Sequence, residues 1–185
     1  YDIDVKIIGG TPYLFSAGRI RGGGFFRSCN LTTMACNQQN FGRGLISSLM
    51  RMSVNNEGTI VYMTDRRDGS IQGRRLVASN GALGLDAEVR RCDRAESPNL
   101  TSEMAYATTV AVSPDNSNIL YVGSHINHSL QKLELSGTGA DTTYNVITSV
   151  GTGLNSTLAN TGAAGEIDAD DVRFSRVWGL SLIHI

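Results

Sequence analysis

Residues 51–65 read RMSVNNEGTIVYMTD, residues 110–124 read VAVSPDNSNILYVGS, and the two stretches align without a gap. Each stretch has an apolar segment, a polar turn and a second apolar segment rich in Ile, Val, Leu and Tyr. Short segments of β-branched and aromatic residues that are bounded by Asn, Gly, Asp and Ser are typical of strands joined by hairpin turns. The sequence therefore predicts a repeated unit of hairpin strands.

The repeat extends beyond these two stretches. Residues 70–72 (SIQ) align with residues 129–131 (SLQ), a further copy is visible at residues 13–18, and another begins at residues 174–179. Successive copies start about 47 to 70 residues apart, close to the roughly 40–50 residues of a propeller blade once loop insertions are allowed. The spacing favours a β-propeller.

Helical patterns are nearly absent from the chain. No window of 11 or more residues carries an amphipathic helical stripe, and the one helix candidate is residues 83–91. The 21 glycines suit many tight turns. A chain of hairpins must close or stack to cover its sheet edges. We predict an all-β fold, a partial β-propeller of about three to four four-stranded antiparallel blades.

Residues 150–153 (VGTG), 162–169 (GAAGEIDA) and 172–180 (VRFSRVWGL) resemble the junction between repeats of NHL-type β-propellers. In that family a glycine-rich loop with an Asp precedes Ala-x-Phe-x-x-Pro-x-Gly, and Val177 stands here where Pro is usual. The resemblance implies an incomplete propeller over residues 1–179.

Its approximate blades are residues 1–44, 45–104 and 105–170, with a further blade beginning at 171–179, and its partners would include the missing blades of the same chain. Residues 180–185 (LSLIHI) resemble a translated transposase adapter from a sequencing library, so they carry no weight in predicting the fold. With strand edges open at both ends, we expect this chain to be less soluble and less cooperative than its parent.

Charge and hydropathy exclude two classes of partner. The formal net charge is −1, which gives no electrostatic attraction for nucleic acid. No apolar stretch approaches the roughly 18 residues that span a bilayer. We therefore expect no nucleic-acid partner and no membrane span.

Cys29 and Cys36 flank a polar turn of six residues. Two hairpin strands joined in this way can place the cysteines opposite each other at disulfide distance. The alternative is a pair of thiols in a cytosolic protein, and we favour the disulfide. Cys92 has no partner cysteine in its own repeat, and no Cys-x-x-Cys or close His pair predicts a zinc site.

Four sequons for N-glycosylation begin at Asn30, Asn99, Asn127 and Asn155. Together with the predicted disulfide they favour a secreted or cell-surface protein.

The candidate ligand-binding face comes from propeller geometry. Because blade connections alternate between the two faces of the disc, the turn between the second and third strands opens on the same face as the loop entering the next blade. That face would gather two imidazoles, two arginines and several carboxylates. Its members are Asp65, Arg66, Arg67, Asp68, His125, His128, Asp168, Asp170 and Asp171.

Each part of this face also has a plain structural interpretation. Residues 65–69 are turn-forming, so we expect their charges to be solvated. His125 and His128 lie three apart in a turn and need a third ligand from elsewhere to hold a metal. The acidic residues 166–171 lack the alternating spacing of a calcium loop. We predict no resident metal and no cofactor.

Two functions remain open at this stage, beside a purely structural repeat in a large surface protein. The first is a non-enzymatic NHL-like propeller that presents its loop face to a protein, peptide or glycan. The second is a propeller hydrolase or lyase, similar to gluconolactonases or peptidyl-amidoglycolate lyases, with calcium or zinc on the propeller axis. No Gly-x-Ser-x-Gly, His-Glu-x-x-His or Gly-Lys-Ser/Thr motif is present, and we favour the binding module.

Overall fold

The structure, a computed structural model, describes residues 2–21, 23–41, 49–65, 69–93, 106–124, 129–137 and 142–151. Within these ranges the chain forms twelve β-strands and no helix. The strands assemble into three four-stranded antiparallel sheets. The all-β prediction is therefore confirmed.

Each sheet is a meander in which every strand pairs with its neighbours in sequence. Sheet 1 consists of β1 (Asp2–Ile8), β2 (Thr11–Ile20), β3 (Gly23–Asn30) and β4 (Cys36–Phe41). Sheet 2 consists of β5 (Leu49–Val54), β6 (Ile60–Asp65), β7 (Ile71–Ser79) and β8 (Ala82–Cys92). Sheet 3 consists of β9 (Thr109–Val112), β10 (Ile119–Ser124), β11 (Ser129–Ser136) and β12 (Thr143–Gly151).

Two hairpins turn through pairs of residues in the left-handed region. Gly9 and Gly10 have φ values of 55° and 80°, and Asn80 and Gly81 have φ values of 51° and 76°. Positive φ at both residues of a two-residue loop is the requirement of a type I′ turn, whose twist matches that of the strands. The helix interpretation of residues 83–91 is wrong, because the Asn80–Gly81 turn leads directly into β8.

Two apolar cores lie between the sheets. Phe15, Phe26, Met52, Val54 and Val61 belong to the core between sheets 1 and 2. Tyr62, Ile71, Val110, Val112, Leu120 and Leu133 belong to the core between sheets 2 and 3. Successive strand residues point to opposite faces, so the middle sheet supplies both cores from adjacent positions.

The sheets pack face to face in a propeller-like arrangement. The first strands of neighbouring sheets lie close together, since β1 and β2 contact β5, and β5 and β6 contact β9. In sheets 1 and 2 the later strands also meet, because β3 and β4 contact β8. First strand beside first strand and last beside last is the relation of neighbouring propeller blades.

The gapless alignment of residues 51–65 with 110–124 is wrong by one residue in the first strands. Val54 pairs with Val61 in sheet 2, whereas Val112 pairs with Leu120 in sheet 3. The connecting turns are residues 55–59 and 113–118, so the second turn is one residue longer. A slip of one residue exchanges the two faces of a strand, and the true equivalent of Val54 is Val112.

Cys29 and Cys36 form the predicted disulfide. They are directly opposite each other in the pairing of β3 with β4, with their Cα atoms 4.1 Å apart. The bond closes the hairpin that ends sheet 1. This prediction is confirmed.

Candidate functional site

The candidate site lies at one end of the sheets, which we call the loop end. It is the end at which β6, β8, β10 and β12 finish and β5, β7, β9 and β11 begin. Asp65, the last residue of β6, lies here and is only 3% exposed. The expectation that its charge is solvated is therefore wrong.

The backbone of Asp65 fixes the start of the turn between β6 and β7. Its N–H donates to the Ser70 carbonyl at 3.1 Å, and its own carbonyl accepts from the Gly69 N–H at 2.8 Å. Gly69 has a φ of 74°, in the left-handed region. The connection is thus closed by hydrogen bonds at its base.

The other residues of the predicted face lie outside the part of the chain that the structure describes. They are Arg66, Arg67, Asp68, His125, His128, Asp168, Asp170 and Asp171.

Buried polar residues occupy equivalent positions in sheets 2 and 3 at the loop end. The pairing of Thr64 with Ile71 and of Gly123 with Leu130 keeps a constant offset between the second and third strands of the two sheets. The equivalent pairs, every member of which is at most 3% exposed, are Asp65 and Ser124, Ser70 and Ser129, and Gln72 and Gln131. Polar groups buried this deeply must be hydrogen-bonded or bear a cost.

Ser129 is the exception to hydrogen-bond satisfaction in this group. Its side chain is fully buried, and its Oγ atom has no hydrogen-bond partner. Buried hydroxyls without a partner cost free energy, and in sheet 3 this cost falls on the first residue of β11.

Sheet 2 and sheet 3 are joined by backbone and hydroxyl hydrogen bonds at this end. The Gly69 carbonyl accepts from the Ala107 N–H at 2.9 Å, which ties the turn of sheet 2 to the segment that leads into β9. The Thr64 hydroxyl donates to the Thr108 carbonyl at 3.4 Å, and the Thr108 hydroxyl donates to the Gly123 carbonyl at 2.9 Å. The loops at this end therefore emerge from a cross-linked base.

Between sheets 1 and 2, a carboxylate joins the two sheets at the loop end. Asp2 accepts from the Met52 N–H at 2.8 Å through one oxygen and faces Arg51 Nη1 at 3.5 Å through the other. Two residues along, Asp4 accepts from the Val54 N–H at 3.3 Å. These bonds cap the free edge of β5.

Burial acts on the Asp4 carboxyl more strongly than its hydrogen bonds do. Loss of solvent raises the pKa of Asp4, against the opposing effects of the Val54 N–H and the Lys6 ammonium. A carboxyl group on the first strand of one sheet thus accepts a hydrogen bond from the backbone of the next sheet. No sequence pattern predicts this contact.

The sequon residue Asn30 has a structural role in its turn. Asn30 is 8% exposed, and its Oδ1 accepts from the N–H groups of Thr32 and Thr33 at 2.9 and 3.1 Å. It therefore organises the turn between β3 and β4. The sequons at Asn99, Asn127 and Asn155 lie outside the described residues.

Cys92 is a free thiol in the core between sheets 2 and 3. Burial raises the pKa of Cys92 to about 12. A thiol protonated at neutral pH is a poor nucleophile and a poor metal ligand, so its role is packing.

The described part of the chain contains neither a cluster of metal-ligating residues nor a helix that could span a membrane. No group of three or more His, Cys, Asp or Glu residues there is arranged to hold a metal ion. Within the same ranges, no helix has the length and apolar character that crossing a membrane requires.

Comparison with known proteins adds no family. The fold defines the class of protein as all-β, built from three four-stranded antiparallel sheets in a propeller-like arrangement. No protein-family model matches the chain, and no curated protein matches it.

Proposed function

We propose that this chain is part of an NHL-like β-propeller that acts as a binding scaffold and presents its loop end to a protein, peptide or glycan. The observation that carries the proposal is the buried polar base of the loop end. Equivalent side chains of two successive sheets are buried there, and the sheets are cross-linked by the Ala107–Gly69 and Thr64–Thr108 hydrogen bonds. Loops held on a rigid scaffold are the usual carriers of binding.

The open face of sheet 1 supports the second part of the proposal, that further blades of the same chain are partners. Ile3, Val5 and Ile7 are 67%, 55% and 73% exposed on the face turned away from sheet 2. A row of aliphatic side chains on a sheet face is normally covered by another layer. A four-stranded sheet like sheet 2 would supply that layer and would also cap the free edge of β1.

We place the protein outside the cytosol. The Cys29–Cys36 disulfide supports this proposal, since such bonds persist in oxidising compartments. Purification under non-reducing conditions from a secretory host should give a chain with this bond intact.

The scaffold proposal is tested by array binding. The full chain is screened on glycan and peptide arrays beside a variant with Arg66→Ala and Arg67→Ala, which removes the two cations between β6 and β7. The matched control carries Arg19→Ala and Arg27→Ala, two exposed arginines of sheet 1. We expect ligands of the unmodified chain that the first variant loses and the control keeps.

The opposite pattern contradicts the proposal. Binding that is unchanged by the loop variant, or lost equally in the control, would place recognition elsewhere. Hydrolysis of a lactone that depends on added divalent metal would favour the enzyme interpretation instead.

A further inference from the structure

Residues at the start of β6 and along β7 and β8 of sheet 2 line a cleft of about 650 Å³. We propose that it binds a small carboxylic acid with an aliphatic body, whose carboxylate is held by Arg90 and Arg75. The cleft lies within the size range of small-molecule sites, roughly 300–1,000 Å³. It is separate from the loops discussed above, so the proposal does not depend on the proposed function.

The cleft combines cations with an apolar wall. Its residues are Thr59, Ile60, Arg75, Leu76, and the stretch Ala87 to Arg90. Ile60 pairs with Arg75 across β6 and β7, and Gly73 pairs with Arg90 across β7 and β8. The two arginines therefore lie on the same face of sheet 2 as Tyr62, the face that looks toward sheet 3.

Arg90 is a half-buried guanidinium held in place by a neutral partner. Its Nη1 donates to the Tyr62 hydroxyl at 2.9 Å, while its Nε is buried and has no hydrogen-bond partner. Burial raises the pKa of Tyr62, so the phenol keeps its proton and leaves the arginine charge uncompensated. A guanidinium that is held in place in this way is preorganised for a carboxylate.

The neighbouring charges leave the cleft with an excess of positive charge. Among the described residues, neither Arg90 nor the exposed Arg75 has a carboxylate partner. Glu88 also borders the cleft, but its carboxylate lies 3.8 Å from Arg91 Nη1. Within the described part of the chain, an anionic ligand thus meets two arginines and one carboxylate, a net positive charge.

The irregular pairing of β7 with β8 explains why a cleft forms here. The ladder shifts between Gly73 and Arg74 and again between Arg74 and Leu76. Such bulges bend a strand and re-aim its side chains, and they are common beside binding sites. The stretch from Ala87 to Arg90 is irregularly paired for this reason, and next to it Arg74 donates to the Asp86 carbonyl at 2.7 and 3.1 Å.

Ligand chemistry follows from these two components. The apolar lining residues Ile60 and Val89 favour an aliphatic chain, because burying it removes apolar surface from water. The arginines favour a carboxylate at one end. Octanoate is the probe, and octan-1-ol, octylammonium and acetate each lack one of the required features.

The experiment measures the Kd of each probe for the full chain by ligand-observed NMR and calorimetry. We expect octanoate to bind at least about tenfold more tightly than octylammonium or acetate, and its binding to weaken as salt is added. Octan-1-ol should bind more weakly than octanoate because it cannot use the guanidinium.

Three variants locate the site. Arg90→Leu should weaken octanoate binding by about tenfold or more, and Arg75→Gln by about two- to fivefold because that side chain is exposed. Arg19→Gln, an exposed arginine of sheet 1, is the matched control and should leave the Kd unchanged. If Arg90→Leu does not fold, Arg75→Gln and the ranking of the four probes decide.

Two results would overturn the proposal. One is an octanoate affinity that is equal in the unmodified chain, Arg75→Gln and every folded Arg90 variant. The other is octan-1-ol or octylammonium binding as tightly as octanoate, since either would show that the arginines do not contribute.

Discussion

The first strands of sheets 1 and 2 share one pattern but differ in what covers them. In β5, Met52 and Val54 point toward sheet 1 and are 4% and 0% exposed. In β1, the corresponding row points away from sheet 2, and its members Ile3 and Val5 are 67% and 55% exposed. The burial of these aliphatic side chains is therefore decided by the neighbouring sheet and not by the strand's own sequence.

The opposite row of side chains on each first strand accepts hydrogen bonds from the backbone of the next sheet. In β1 it carries Asp2 and Asp4, which accept from the backbone of β5, and in β5 it carries Ser53, whose Oγ accepts from the Val112 N–H at 3.1 Å. An edge strand has free N–H groups that must be satisfied or shielded. Both interfaces solve this problem, one with charged groups and the other with a neutral hydroxyl.

The largest predicted effect comes from placing the same charge on both strands. Val54→Asp introduces a carboxylate into the core beside Asp4 and should destabilise the chain by about 3–5 kcal/mol, or prevent folding. Val5→Asp, at an exposed position, should change stability by no more than about 0.5 kcal/mol. Urea unfolding followed by circular dichroism measures both.

An equal loss of stability in the two variants would contradict the conclusion that Val5 is exposed and Val54 is covered. It would mean that Val5 is already covered in solution, for example by a second copy of the chain. Sedimentation of the unmodified chain beside Val5→Asp distinguishes the two cases, because only a covered face would change its oligomeric state.

The second prediction concerns the Cys29–Cys36 disulfide of sheet 1. Closing the short loop between Cys29 and Cys36 should contribute roughly 2.5 kcal/mol, so reduction should lower the free energy of unfolding by that amount. The double variant Cys29→Ser, Cys36→Ser is the control and should not respond to reductant. Thiol titration of the denatured, unreduced chain should count Cys92 alone, and three reactive thiols would contradict the bond.

The third prediction compares the two ways of capping an edge strand. Asp2→Ala removes the acceptor of the Met52 N–H and should cost about 1.5 kcal/mol, whereas Ser53→Ala removes a neutral acceptor and should cost about 1 kcal/mol. Asp86→Ala, an exposed carboxylate of β8, is the control at about 0.5 kcal/mol or less. Capping would be refuted as a stabilising feature if Asp2→Ala matched Asp86→Ala in urea unfolding.

The sequence predicted the fold class because alternation and turn residues act locally. The strands over residues 60–65, 119–124 and 129–136 follow from their content of Ile, Val, Tyr and Leu, and the disulfide follows from a turn of suitable length. The face assignment of β5 against β9 did not follow, since one extra turn residue exchanges the faces. The Asn80–Gly81 pair was a readable signal for the hairpin that excludes a helix at β8.

Asp65 is the one member of the predicted face that lies in the described part of the chain. Asp65 was expected at the loop end and lies there, but its burial depends on packing between sheets that no local pattern reports. The contacts of Asp2 with Met52 and of Arg90 with Tyr62 join residues distant in sequence. Such contacts require the three-dimensional register of several strands at once.

The smallest predicted effect is a pH dependence of stability, caused by Asp4 at the contact between β1 and β5. Burial raises the pKa of Asp4, so the folded chain binds a proton there more tightly than the unfolded chain does. The stability from this protonation is fully present below the ordinary Asp pKa, near 4, and is lost as the pH rises through the raised folded pKa.

Asp4→Asn keeps an oxygen acceptor for the Val54 N–H but cannot titrate. Its urea-unfolding profile above pH 4 should therefore decline less than that of the unmodified chain, with Asp86→Asn as the control. An unmodified chain that instead gains stability relative to Asp4→Asn across this window would show that hydrogen bonding outweighs desolvation, and that the charged cap is intrinsically favourable.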